Sequence, residues 1–385
     1  MKLHKTKENE VYYYFLKNGE KRFMYRHKYV DVLGKRKEKK KSGFKTEKEA
    51  LRGLLEVKAT LLDGNHNFVD NNQLTVSQWL EIWFETYGKE WKPTTIRQRK
   101  SIIDKHIKPL LGTYKLSTLN RATYTREFIN KLSATKLKKS TISFIHDIFK
   151  IAINAAVEDE IIPRNRFTKI TFEKEKKLDN FLSPKELRFF LNYTKIHCNI
   201  TSYTVMFLLA YTGLRKGEAL GLKWKNISFD NKSITVESTR DKNGLRSPKT
   251  TNSYRTIAVD NLLIKQLKKY QVWCIEKKFQ NGVNLDKKED LIFISYKDGE
   301  PVNDYYLNDS FKLLYKKIKL NGQKLKRITP HGLRHTHATI LISNGVAPPA
   351  IAKRLGNTVQ MIYEVYTHCF DELEEQAVDA FSQSL

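Results

Sequence analysis

The chain has 385 residues, of which 40% are hydrophobic and 29% charged; at roughly 100–200 residues per domain, two or three domains are expected. Lys and Arg total 70 against 42 Asp and Glu, a formal net charge of +28, more than solubility needs, and an excess that implies a polyanionic partner, nucleic acid before a membrane surface. No apolar run approaches the ~20 residues of a spanning helix, and the basic start MKLHKTKENE has no apolar stretch behind it. Cys198, Cys274 and Cys369 lie far apart, without CxxC or zinc-ligand spacing. A disulfide framework and a membrane-spanning protein are excluded, and a cytoplasmic protein with reduced thiols is expected.

The first segment, residues 1–65, reads as short strands followed by a helix. Residues 1–50 hold 16 Lys and Arg against seven Asp and Glu. Val11–Leu16 is rich in β-formers, Asn18-Gly19 signals a hairpin turn, and Phe23–Tyr25 continues the pattern. A turn at Gly34 precedes the basic run Lys35–Lys41, and Thr46 with Glu49 forms a capping box that opens a helix. A small basic sheet with one packed helix can lie in a DNA groove.

Residues 74–168 read as all-helical. Thr75 and Gln78 make a capping box before Trp79, Ile82 and Trp83, which the spacing puts on one helix face. Pro93 opens a second helix bearing Arg97, Arg99 and Lys100; a third runs from Thr123 through Phe128 to Leu132. Ser140 fits as the N-cap of a fourth, with Ile142, Ile145, Phe149, Ala152 and Ala156 at helical spacing, ended by Pro163. The charged, aperiodic stretch Glu173–Asp179 reads as a linker.

The third segment, residues 180–385, opens sharply at Ser183-Pro184-Lys185-Glu186, with an N-cap, Pro at N1 and Glu at N3. Helices lead to Tyr211. Strands are expected at Ser233–Ser238 and Arg255–Val259, a strand or buried helical turn at Leu291–Ile294, and helices from Leu307 onward. The fold class is therefore multidomain α+β: a small N-terminal sheet with a helix, an all-α domain, and a mainly α domain with a small antiparallel sheet.

Cutting DNA without a metal needs groups that neutralise the phosphate as it becomes pentavalent, a nucleophile, and an acid for the leaving oxygen. Arginine suits the first task, because its planar fork holds two phosphate oxygens at once. HExxH, Walker A and GxGxxG patterns are absent from the chain. Three pieces stand out instead: Thr212-Gly213-Leu214-Arg215-Lys216-Gly217-Glu218, then His331-Gly332-Leu333-Arg334-His335-Thr336, then Tyr366-Thr367-His368. In this order and spacing they resemble the signature of the tyrosine recombinase family. The resemblance covers the third segment, and extends more weakly to the first two, which are similar to the arm-site and core-site DNA-binding domains of phage and conjugative-element integrases.

The resemblance implies an enzyme that cuts and rejoins DNA through a covalent 3′-phosphotyrosyl bond, integrating and excising a mobile element without cofactor or metal. Arg215 and Arg334 would grip the scissile phosphate and strengthen that grip in the transition state. Tyr366 would be the nucleophile, with Tyr363, three residues away, as the local competitor. His331 would act as general acid/base, its ordinary pKa of about 6.5 suiting proton transfer. Lys249 would protonate the leaving 5′-oxygen; Arg246, its competitor in register, is a poor acid. Glu218 would orient Arg215. His335 and His337 read as structural members of a packed helix. Asn357, after Arg354-Leu355-Gly356, stands where the family usually has histidine; it is expected to donate a hydrogen bond to phosphate but cannot titrate near neutral pH. The tail after Tyr366, with Ala377, Val378 and Phe381 at helical spacing, would pack on a neighbouring subunit or on its own domain.

The implied partners are double-stranded DNA with core and arm attachment sites, three further copies of the chain in a tetramer on DNA, an excisionase and a host DNA-bending protein. Three rivals stay open: a chromosome-dimer resolvase, which residues 1–65 weigh against; a non-catalytic DNA-binding regulator of recombinase descent, for which Asn357 is the one hint; and a topoisomerase-like relaxing enzyme.

Overall fold

The computed structural model describes residues 2–31, 34–62, 73–173, 180–248, 251–366 and 382. The chain divides into two compact units, residues 1–176 and 177–385. All of the expected Glu173–Asp179 linker but its first residue, together with Lys249 and the tail from Thr367 onward, Ser382 aside, lies outside the described residues.

The first unit begins with a four-stranded antiparallel meander: β1 (His4–Lys5), β2 (Val11–Phe15), β3 (Lys21–Val30) and β4 (Arg36–Phe44), hydrogen-bonded in that order. The Asn18-Gly19 turn joins β2 to β3, with Gly19 at φ +80°. The basic run is a strand, for β4 carries it. One face of the sheet packs Val11, Phe23 and Tyr25 against Ala50 and Leu54 of helix Glu47–Leu62, which the Thr46 hydroxyl caps by accepting from Glu49 N at 3.2 Å.

The helical part of this unit has its own core, from Val76 to Phe167. The capping box at Thr75 and Gln78 starts helix Val76–Tyr87 as expected. Its buried stripe is Val76, Trp79, Leu80 and Trp83, whereas Ile82 is 44% exposed. At 3.6 residues per turn, Ile82 lies roughly 110° from the middle of that stripe, so sharing a face with Trp79 was too broad a reading. Helix Pro93–Ile102 continues through a π-helical turn, Ile103–Ile107, into Lys108–Leu111. The third helix starts at Arg121, capped by Asn120, and also passes through a π-helical turn, Thr125–Ile129. The fourth is Lys139–Glu158, so Ser140 lies inside its first turn and Lys138 is at the N-cap. A cap stabilises by only about 1 kcal/mol; burial of Ile142, Ile145, Phe149, Ala152 and Ala156 sets this helix.

The second unit is built around helix Ile200–Thr212, buried on nearly every side. Helix Pro184–His197 starts at the expected Ser183–Glu186 capping box. Around the central helix pack Asn261–Gln280 and Pro330–Ser343. A three-stranded antiparallel sheet orders β5 (Ile227–Ser228), β6 (Ser233–Val236) and β9 (Arg255–Ala258), and β7 (Thr239–Asp241) pairs with β8 (Gly244–Arg246) as a separate hairpin. Residues 291–294 are neither a regular strand nor a helical turn: isolated bridges Lys223–Leu291 and Ile294–Pro301 pin them, while Ile292, Phe293 and Ile294 fill the core. Helices Tyr306–Leu320, Pro330–Ser343 and Pro348–Leu355 follow, then helical residues 359–366. No described helix is long and apolar enough to cross a membrane. Cys198 and Cys274 are free thiols.

Candidate active site

Two helix ends build the cationic heart of the second unit. Helix Ile200–Thr212 stops at Gly213, which has φ +66°; a Cβ there would meet Leu355 at 2.5 Å. Helix Pro348–Leu355 stops at Gly356, also at φ +66°. Glycine adopts this left-handed turn without steric cost, and each turn presents its carbonyl inward. Arg334 NH1 donates to Gly213 O at 2.8 Å and Arg215 NH2 to Gly356 O at 3.1 Å. The two arginines, 119 residues apart in the chain, therefore meet because two helices end where they do.

Arg334 projects from helix Pro330–Ser343 and is 3% exposed. Its NH2 donates to Leu355 O at 2.8 Å and to Asn357 Oδ1 at 2.9 Å. Arg215 NH2 donates to the same Oδ1 at 2.6 Å. Asn357 therefore bridges the two guanidinium groups with its amide oxygen, the only end that can accept from a pair of donors. Its expected use as a donor needs the other end of the amide. Burial, followed by the charge on Arg215, pushes Arg334 down to about 9, which leaves it protonated at neutral pH. Two like charges in one poorly solvated place favour the arrival of an anion.

Glu218 does what the sequence reading assigns to it. Its carboxylate accepts from Arg215 N at 2.9 Å and from Arg215 NH1 at 2.7 Å. Its other partner, Arg255 of β9, is 37 residues on, with NH2 donating at 2.8 Å; the two side chains are 4% and 5% exposed. Burial would raise the Glu218 pKa, but Arg255 and Arg215 outweigh it and hold the carboxylate below its usual range. Arg255 also donates through Nε to Arg354 O at 2.8 Å, tying sheet, short helix Lys216–Leu220 and Gly356 turn together. A cavity of about 460 Å³ opens beside this cluster, lined in part by Arg215, Glu218, Arg246, Asn252 and Asn357. Arg246 pairs with Asp241 across the β7–β8 hairpin.

The histidines separate into three tasks. His337 donates through Nδ1 to Ala210 O at 2.9 Å and accepts at Nε2 from Arg354 Nε at 2.9 Å. It is structural, as read; burial and then Arg354 push it down to about 4. His331 keeps an exposed face. Partial burial, then the positive fields of His335, Arg334 and Arg215, push its imidazole down to about 4, so its ordinary value near 6.5 does not apply in the DNA-free protein. At neutral pH it is a proton acceptor, and a bound phosphate would move it back up by cancelling the arginine charge. The exposed face makes the arginines the steadier of these causes.

His335, read from the sequence as a structural member of the helix, makes a contact with Tyr366 that the sequence reading did not foresee. Its Nδ1 lies 3.1 Å from Tyr366 Oη, and its ring meets that of His331 edge-on with centroids 4.7 Å apart. The i, i+4 spacing of His331 and His335 places both imidazoles on one helix face, which was the available signal. Tyr366 is 3% exposed and near enough to Arg334 to act on its charge, whereas Tyr363 is 51% exposed. Of the expected site residues, Arg215, Arg334 and Asn357 are in direct contact; His331 is electrostatically coupled to both arginines; Tyr366 is coupled to Arg334 and hydrogen-bonded to His335. Lys249 lies outside the described residues.

Residues 180–372 match the phage integrase family, residues 75–133 the N-terminal SAM-like domain of phage integrases, and residues 5–61 the arm DNA-binding domain. The chain is 28% identical over 341 residues to a tyrosine recombinase XerC-like protein of Caldanaerobacter subterraneus subsp. tengcongensis, covering 82% of this chain and 84% of that one. It is 27% identical over 314 residues to the ICEBs1 integrase of Bacillus subtilis, covering 80% and 82%. Among solved structures, the Tn1549 transposon integrase in complex with transposon right end DNA shares the fold with a TM-score of 0.67 at 22% identity, covering 79% of this chain and all of that one. The lambda integrase dimer bound to a COC′ core site does so at 0.59 and 16%, covering 94% and 96%. With the family match spanning just over half of its length and the arginine pair assembled inside it, the chain belongs to the phage integrase family of tyrosine recombinases.

Proposed function

We propose that the protein integrates and excises a mobile element by cutting and rejoining DNA at specific sites through a 3′-phosphotyrosyl intermediate. The observation that carries this reading is the Arg215–Asn357–Arg334 cluster, two guanidinium groups joined by one neutral acceptor beside an open cavity. Arg215 and Arg334 hold the non-bridging oxygens of the scissile phosphate, and their mutual repulsion is relieved most as charge builds on those oxygens. Tyr366 Oη attacks phosphorus and the 5′-oxygen leaves. Lys249 protonates that oxygen, His331 exchanges protons at the site, and Asn357 keeps the arginines together while offering its amide hydrogens to the phosphate. The phosphotyrosyl bond preserves the energy of the broken bond, so rejoining needs no cofactor.

The three family matches support three domains: residues 1–65 for arm sites, 74–168 for core sites and 180–385 for catalysis. The last two close around the core site as a clamp. Four copies act on two duplexes, as the lambda integrase tetramer does on a Holliday junction; an excisionase and a host DNA-bending protein set direction. The protein works in the cytoplasm. Its net charge of +28 supplies affinity that falls steeply with salt.

Covalent trapping tests this. The full chain is incubated, without added metal, on a core-site duplex nicked beside the cleavage position, so that the released fragment diffuses away. A covalent adduct that disappears in Tyr366→Phe is the expected result. An adduct that persists moves the nucleophile, Tyr363 first. Tight binding without any adduct overturns the catalytic reading in favour of a DNA-binding regulator.

A further inference from the structure

We infer that His335 is the base that takes the phenolic proton from Tyr366 as it attacks. The inference rests on Tyr366 being the nucleophile. Nδ1 of His335 is 3.1 Å from Tyr366 Oη, within the reach a general base needs, and the ring planes meet at 61° with centroids 5.7 Å apart. The partners come from helix Pro330–Ser343 and from helical residues 359–366, 31 positions apart. The next residue back from His335 is Arg334. One helix thus delivers a phosphate-holding guanidinium and, beside it, an acceptor for the proton of the attacking oxygen.

His331 is placed differently. It touches His335 edge-on, one turn nearer the helix start, and carries an exposed face, which suits exchange with solvent or with the leaving side of the phosphate. His337, two residues further on and so turned roughly to the opposite side of the helix, is committed at both nitrogens, to Ala210 and Arg354. Of the three imidazoles, His335 is the one hydrogen-bonded to the tyrosine.

The step balances. The Tyr366 O–H bond breaks and its proton moves to His335 Nδ1, giving an imidazolium. The Tyr366 Oη–P bond forms, the P–O5′ bond breaks, and the leaving 5′-oxygen takes a different proton, from the acid on its own side. Rejoining reverses this: the 5′-hydroxyl gives up its proton to that group, and the His335 imidazolium returns its proton to the departing phenolate. Two separate groups handle two separate protons, one on each side of the phosphorus.

A substrate whose bridging 5′-oxygen is replaced by sulfur separates these roles, because a thiolate leaves without being protonated. His335→Gln and His335→Ala are compared with the wild-type chain and with Lys249→Ala, the control for rescue. Single-turnover cleavage is followed on oxygen and sulfur substrates, together with thermal melting and core-duplex binding. Both His335 variants are expected to bind and melt like the wild type, yet to cleave about 10²-fold or more slowly on both substrates, the size of a general-base contribution. Glutamine that restores a normal rate would overturn the inference, since it keeps a hydrogen bond but accepts no proton. Rescue by sulfur would overturn it in favour of an acid role, as would a normal rate in His335→Ala in favour of no role. A wild-type chain that fails to cleave either substrate would count against the proposed function instead.

Discussion

The helical core of the first unit and the active-site core of the second are both tightly packed, but they bury different chemistry. Among the described residues, the first unit buries one polar residue, His146, which lies 2.9 Å from Tyr124 Oη. The Tyr124 ring in turn packs against Phe128, Phe149 and Phe167, with centroids 5.1, 5.0 and 4.6 Å away. The described residues of the second unit include eleven buried polar ones, among them Glu218 with its carboxylate and Arg334 with its guanidinium. Burying charge is unfavourable unless it is paired, so the contrast separates a scaffold held by shape from a site held in electrostatic tension. Arg334 lies on the unpaired side of that balance: carbonyls and an amide surround it, and a second cation is its neighbour.

Breaking the tension at Arg334 gives the largest expected effect. Arg334→Ala should slow single-turnover cleavage about 10³-fold or more, the scale of a lost transition-state charge partner. It should destabilise the fold less than Glu218→Ala, because it also removes a buried like charge. Equilibrium unfolding beside rapid-quench cleavage checks both statements.

The next pair sharpens the contrast between the cores. Glu218→Ala strands Arg255, 5% exposed, without its carboxylate and should cost about 3–5 kcal/mol. Phe149→Ala should cost a similar ~3–5 kcal/mol by opening a cavity in the aromatic core. The two separate in function: below the melting temperature and with DNA in excess, Phe149→Ala should cleave within a few fold of wild type, while Glu218→Ala, with Arg215 released, should not. Comparable cleavage losses in both would show that the two cores are not independent.

The pH dependence is smaller. His337 has its pKa lowered to about 4, so the unfolded imidazole, titrating near 6.5, binds its proton first as pH falls. The unfolded state then holds more protons between pH 6.5 and pH 4, and stability falls with pH across that window by up to about 1.4 kcal/mol per unit. His331 adds to the slope with the same sign, more weakly because of its exposed face. Urea unfolding at pH 5 and pH 7 should show a difference that His337→Gln reduces. The smallest change is Asn357→Asp. A carboxylate between two guanidinium groups should raise the melting temperature by a few degrees, yet slow cleavage about 10-fold by competing with the phosphate.

Much of the fold was legible because local rules govern its edges. The capping boxes at Thr75 and Ser183 and the Asn18-Gly19 turn fall where the sequence puts them. The misses share a cause. Ser140 was a fitting cap that packing passed over, Ile82 was counted on a stripe it does not share, and residues 291–294 are held by bridges to segments elsewhere in the chain. The π-helical turns have no short-range sequence signature. At the site, the pairing of Glu218 with Arg215 is a three-residue matter and was readable; its pairing with Arg255 is not.

The residue types and order of the three motifs were enough to determine the family and the chemistry to look for, since arginine, tyrosine and histidine carry their charge and reactivity wherever they stand. Contacts across the fold decided the rest. Arg334 reaches Gly213 over 121 residues and Arg215 reaches Asn357 over 142, and only the packing of helix ends brings them together. The same packing set Asn357 with its oxygen toward the arginines and His335, rather than His331, against the Tyr366 hydroxyl. Protonation state and hydrogen-bond direction depend on the field and the solvent access at one point in space, and distant segments of chain supply both.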